Sequence, residues 1–89
     1  MSPEMIRETI STFIKRNFLF DERKHLDTSA SFLRTGVLDS TGILELITFI
    51  EEEFSTSFTD EELTSENFDS VDRAVSIIQR KKRNGSTTD

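Results

Sequence analysis

The sequence predicts an all-α domain: a small bundle of four helices, three long and one short, with a long connection after the first. Three observations predict it. Apolar residues recur at helical spacing in three separate stretches. Short polar residues that cap helices stand directly ahead of each stretch. The chain of 89 residues has one Pro and three Gly, too few for a protein built from tight β turns.

Ser2-Pro3 reads as a helix start, Ser2 as cap and Pro3 in the first helical position. Ile6, Ile10, Phe13 and Ile14 then fall on one face, and this first helix is expected to end near Asn17. Residues 18–38 lack a sustained period. Their apolar members, Phe18, Leu19, Phe20, Leu26, Phe32 and Leu33, are expected to pin the connection against the bundle, with Gly36 in a turn closed to other residues. Whether Arg34 contacts an acid of the second helix is left open by the sequence.

The second helix is expected over about Asp39 to Phe54. Ile43, Leu46, Ile47, Ile50 and Phe54 lie at offsets 0, 3, 4, 7 and 11 and form its buried stripe. The same spacing puts Thr41, Glu45, Thr48 and Glu52 on its outward face. Thr59 with Glu62 has the form of a capping box, which predicts a short helix from there to about Glu66. Asp69-Ser70 caps a last helix with Val71, Ala74, Val75 and Ile78 inward. Arg80-Lys81-Lys82-Arg83 stand where the helix dipole favours cations, and Asn84-Gly85 is expected to stop it. One domain over 1–83 and a flexible tail over 84–89 follow.

Composition narrows the function. There is no Cys, hence no thiolate metal site, and with a single His, His25, the chain is a poor candidate for nucleophilic or zinc chemistry; if a thiol is involved, something else must bring it. No segment has the spacing of a calcium-binding loop with its central Gly. The net charge is −6 and unevenly spread: between 39 and 72 there are eleven Asp and Glu and no Lys or Arg. Such a surface attracts basic partners and argues against nucleic acid. No apolar run approaches the length of a membrane span, and no basic stretch leads into an apolar one at the start, so a soluble cytoplasmic protein is expected.

Asp39-Ser40 is the pair with chemical content. A helix N-terminus exposes N–H groups without intrahelical partners and carries a positive partial charge, which favours a phosphate ester on a serine there. Taken alone, Asp-Ser ahead of an apolar helix is most often only a cap. The surrounding residues add to it. Phe32-Leu33-Arg34-Thr35-Gly36-Val37-Leu38-Asp39-Ser40 is followed by Glu45-Leu46 and Ile50-Glu51-Glu52-Glu53-Phe54. Asp60-Glu61-Glu62-Leu63 and Asn67-Phe68-Asp69-Ser70-Val71 come next. In this order and spacing, over about Glu4 to Lys82, they resemble the acyl carrier protein family, the phosphopantetheine-binding carrier proteins, of the stand-alone type.

The resemblance implies a four-helix bundle of the acyl-carrier type, monomeric and non-catalytic. It implies that Ser40 receives 4′-phosphopantetheine from coenzyme A through a phosphopantetheinyl transferase, with Asp39 in a supporting role. The arm would end in a thiol holding an acyl or aminoacyl group as a thioester. The second helix is the usual docking surface of such proteins. Thr41, Glu45, Thr48 and Glu52 are therefore the expected partner-binding residues, facing acyl- or aminoacyl-activating ligases or synthases with basic docking patches. Two residues depart from the family's pattern, Thr41 where Leu is commonest and Gly42 after it, both expected where partners touch. The competing reading is an acidic helical adaptor that binds a basic protein and is never modified.

Overall fold

Helix α1, Pro3–Ile14, starts where the sequence places it, with the Ser2 hydroxyl accepting the Met5 N–H at 3.3 Å. The computed structural model describes residues 2–20 and 25–88, with side chains as far as Lys82. Ile6, Ile10 and Ile14 are buried. The chain does not leave the helix near Asn17. It widens into a π-helical turn, Lys15–Leu19, that ends at Phe20 in the left-handed region at φ 58. A π turn brings residues five apart alongside each other. Phe13 and Phe18 meet edge to face at 5.9 Å between ring centroids. The Asn17 side-chain amide donates to the Phe13 carbonyl at 2.8 Å.

The connection is held differently from expectation. Phe32 is buried and Phe18 and Leu26 are partly buried against the core, but Phe20 is 81% exposed and Leu33 also faces solvent. Much of the pinning is polar. A single helical turn, α2, Phe32–Thr35, is capped by Ser31 and closed by Gly36 at φ 79, a conformation that favours glycine. Asp69 anchors this turn: its carboxylate accepts from the Ser31 hydroxyl and, at 3.1 Å, from the Leu33 N–H, while its carbonyl accepts the Phe32 N–H at 2.6 Å. The Asp72 N–H donates to the Thr28 carbonyl at 3.0 Å.

Helix α3, Ser40–Glu53, buries its expected stripe, Ile43, Leu46, Ile47 and Ile50, with Phe54 buried at its end. Thr59 and Glu62 do form reciprocal bonds, Thr59 N–H to Glu62 Oε1 at 2.8 Å and Glu62 N–H to Thr59 Oγ1 at 3.3 Å. No helix follows them. The segment 60–66 has no apolar stripe to bury, and the Asn67 amide and Thr64 N–H both turn back onto the Glu62 carbonyl. The short helix comes later, as a 3₁₀ turn at Ser65–Phe68 that delivers Phe68, fully buried, to the core.

Helix α4, Val71–Thr88, starts from Ser70, whose hydroxyl accepts the Arg73 N–H at 3.1 Å. It buries Val71, Ala74, Val75 and Ile78, and also Ile77. Its backbone stays helical past Asn84-Gly85, because a glycine costs only about 1 kcal/mol in a helix and does not by itself end one. The tail over 84–89 remains an expectation about motion, and Asp89 lies outside the described residues.

Lys81 and Lys82 of the basic run consequently sit in the body of α4, where they serve its neighbours. Lys81 Nζ lies 2.9 Å from Glu62 Oε1, and Lys82 Nζ donates to the Phe54 carbonyl at the C-terminal end of α3, where the dipole favours a cation. Helix α1 packs on α4, with Arg7 Nε 3.2 Å from Asp72 Oδ1. Among the described residues there is no strand, and they form an all-helical bundle.

The Thr59 N–H, and after it Lys81, hold the Glu62 carboxyl below the usual carboxylate range. A carboxyl with a lowered folded-state pKa contributes stability above its unfolded pKa and loses it as pH falls through the folded value. Glu62→Gln should therefore cost roughly 0.5 kcal/mol at pH 7, the scale of a solvent-screened pair. The cost should vanish in acid, below both pKa values; urea unfolding at pH 7 and about pH 2.5 checks the difference.

Candidate functional site at the start of helix α3

Ser40 is the first residue of α3, and Asp39 is its N-cap with extended backbone. Asp39 Oδ1 accepts the Gly42 N–H at 2.8 Å, and its carbonyl accepts the Ile43 N–H at 2.9 Å. The cap thus engages the third residue of the helix and leaves Ser40 out. Ser40 is exposed, and its hydroxyl has no hydrogen bond among the described residues. The N–H groups of Ser40 and Thr41 belong to the first turn and have no intrahelical acceptor.

The other capping serines are occupied. Ser70 also follows an Asp and precedes a helix, yet it is 3% exposed and its hydroxyl is bonded to Arg73. The Ser31 hydroxyl is engaged by both Asp69 and the Arg34 N–H, and that of Ser2 by the Met5 N–H. Ser40 combines an acidic predecessor, a long helix behind it and an unengaged hydroxyl.

Thr41, Glu45, Thr48 and Glu52 are all exposed on α3. The Thr48 hydroxyl is turned onto its own helix, donating to the Leu44 carbonyl at 3.1 Å. Glu45 and Glu52 have no ion-pair partner among the described residues, whereas Glu62, Glu66 and Asp72 are paired with Lys81, Arg73 and Arg7. Arg34 makes no ion pair with an acid of α3 among those residues.

Two features of this helix escape the sequence reading. Leu44 is 64% exposed, one turn along from Ser40 and beside Glu45. The available signal was that Leu44 falls off the buried stripe. Gly42 is not at the surface as expected: it is buried. A Cβ built on it would lie 3.2 Å from Leu38 Cδ2 and 3.3 Å from Phe18 Cε1. The glycine is a close-approach residue, which local helix propensity cannot reveal.

His25 is exposed in the connection, and among the described residues no three His, Cys, Asp or Glu gather as a metal site. No helix among them is long and apolar enough to cross a membrane.

An exposed serine with no hydrogen bond among the described residues thus opens the second long helix of a small helical bundle. The chain is 28% identical over 78 residues to a probable acyl carrier protein, PigG, of Serratia sp. (strain ATCC 39006). The match spans 88% of this chain and 90% of that protein. No protein-family model matches the chain. Across nearly both lengths, and with a helical bundle for its fold, the chain is similar to an acyl carrier protein.

The cap predicts its own test. Asp39→Ala removes the acceptor for the Gly42 N–H and should cost about 1 kcal/mol in urea unfolding, while Asp39→Asn or Asp39→Ser, which can still accept that bond, should cost only a few tenths.

Proposed function

We propose that this chain is a non-catalytic carrier that holds acyl or aminoacyl groups on a 4′-phosphopantetheine arm attached to Ser40 and presents them to partner enzymes. The observation that carries this reading is Ser40: exposed, its hydroxyl without a hydrogen bond among the described residues, and set at the N-terminus of a 14-residue helix behind a cap that does not engage it. The residues fit the group. A phosphodiester on Ser40 Oγ would face the first-turn N–H groups and the positive end of the α3 dipole. When attached, the arm would supply the thiol that this cysteine-free chain lacks, to carry cargo as a thioester.

Asp39 holds the first turn in place through Gly42, which keeps the Ser40 hydroxyl pointed at solvent. Attachment requires that hydroxyl to give up its proton to the transferase and bond phosphorus as the coenzyme A nucleotide leaves. Thr41, Glu45, Thr48 and Glu52, with Leu44 among them, form the docking face for a phosphopantetheinyl transferase and for ligases or synthases with basic patches. Such a carrier would work as a monomer in the cytoplasm.

Incubation with coenzyme A and a broad-specificity transferase, followed by intact mass, tests the reading. The wild type should gain one phosphopantetheinyl group and Ser40→Ala none, with Ser70 unmodified in both. Ser40→Ala should unfold within about 1 kcal/mol of wild type, since Asp39 still caps α3. A wild type that gains nothing from any competent transferase, or a Ser40→Ala chain that still gains the mass, returns the protein to the reading of an unmodified acidic adaptor.

The charge of the docking face should act on encounter more than on the complex once formed. Glu45→Lys and Glu52→Lys are expected to slow association with the transferase severalfold at low ionic strength. The difference should shrink toward nothing near about 0.5 M salt, where the Debye length falls to a few ångströms. Stopped-flow association rates across a salt series measure it.

A further inference from the structure

The π turn at the end of α1 brings a side chain to the place where Ser40 is held. Helix α1 keeps the α spacing through Ile14 and then widens over Lys15–Leu19. The widening sets Phe18 edge to face on Phe13, and Phe13 stacks on Phe49 of α3 with centroids 4.0 Å apart. Phe18 is therefore backed by a ring that itself lies on the middle of α3. Its Cε1 reaches the first turn of the same helix at Gly42, two residues beyond Ser40. There a Cβ would sit only 3.3 Å from Cε1 and 3.2 Å from Leu38 Cδ2. Gly42 is also the residue whose N–H the Asp39 cap holds. One backbone position is thus fixed from two sides, by a hydrogen bond to the cap and by an apolar wedge.

We infer that Phe18 is a positioning residue for Ser40. Packed on the glycine with Leu38, it sets the height and rotation of the first turn of α3, and so the direction in which the Ser40 hydroxyl is presented to the transferase. This rests on the reading of Ser40 as the modified residue. It also accounts for Gly42. A larger residue there would displace the ring or the turn, and Phe18 and Gly42 are complementary in size. The π turn has a role in this: it supplies the extra residue that puts Phe18 beside Phe13 as well as on Gly42.

The test is a double-mutant cycle read by transferase kinetics on full-length protein, with rates normalised to the folded fraction from circular dichroism. Gly42→Ala adds a methyl where the ring edge lies and improves helix propensity. It should leave the bundle folded with at most a small change in melting temperature, the propensity gain offsetting part of the crowding, yet lower kcat for Ser40 modification by about tenfold, as a misplaced reacting group does. KM should hold, because the docking face is untouched. Phe18→Leu should also lower kcat, by leaving a gap over Gly42. The pair Phe18→Leu with Gly42→Ala refills that gap and should recover most of the wild-type kcat.

A loss that follows only the folded fraction, or a double variant no faster than the product of the two single effects, overturns the inference. So does Gly42→Ala modified at the wild-type rate while the wild type is modified normally, which leaves the Ser40 reading intact. A wild type that never gains the group overturns both.

Discussion

Asp69 is the residue on which the placement of the site depends. The segment from Ser31 to Asp39 has one helical turn, four residues long, and a turn of that length is not stable alone. It has a fixed place because Asp69, at the mouth of α4, takes the Ser31 hydroxyl and Leu33 N–H on its carboxylate and the Phe32 N–H on its carbonyl. These bonds seat Phe32 in the core. From Phe32 the Leu38 N–H bonds back to the Phe32 carbonyl at 3.4 Å, Leu38 is buried in its turn, and Asp39 follows as the cap. The start of α3 is thus positioned by a residue thirty positions further along the chain, and the segment from Ser31 to Asp39 is an ordered strap.

Hydrogen-bond accounting separates Ser40 from the rest of the capping serines. A serine ahead of a helix normally spends its hydroxyl on the helix, and Ser2, Ser31 and Ser70 do so. At α3 the capping acceptor is moved one residue earlier, to Asp39, and the serine occupies the first helical position with nothing asked of its oxygen. The helix therefore does not lose its cap if that oxygen is esterified. On the proposed reading of Ser40, the Asp-Ser order keeps capping and reaction on separate residues.

The helices with strong apolar period were legible in the sequence. Ile6, Ile10 and Ile14, the stripe from Ile43 to Phe54, and Val71, Ala74, Val75 and Ile78 are buried as their spacing required. So was the Asp39 cap, since caps depend on residues a few positions apart. What stayed hidden depends on contacts far along the chain. The Thr59–Glu62 bonds are local and were legible, but whether a helix continues from them depends on having a face to bury, and the helical turn formed instead around Phe68. The π turn, the burial of Gly42 and the anchoring by Asp69 all arise from pairing with α1 or with the connection. No local pattern encodes them. Leu44 was readable by subtraction, as an apolar residue of α3 with no place on its buried stripe.

The charges sort in a way that bears on what the α3 face is for. Three of the acids further along have cations assigned to them by the fold: Glu62 has Lys81, Glu66 has Arg73 at 3.8 Å, and Asp72 has Arg7. Lys82 is committed to the α3 C-terminus. With those cations used inside the molecule, Glu45 and Glu52 are left facing solvent from a helix that carries no Lys or Arg of its own. Exposed like charges of this kind contribute little to stability, and their field is free to steer a basic surface toward Ser40. Leu44 lies within that field and is large enough to give a partner something apolar to cover. Long-range attraction governs how fast a partner arrives, and short-range burial governs how long it stays. On the proposed reading, a carrier that visits several enzymes in turn is served by strong attraction and modest burial, and one exposed leucine among threonines and glutamates suits that balance.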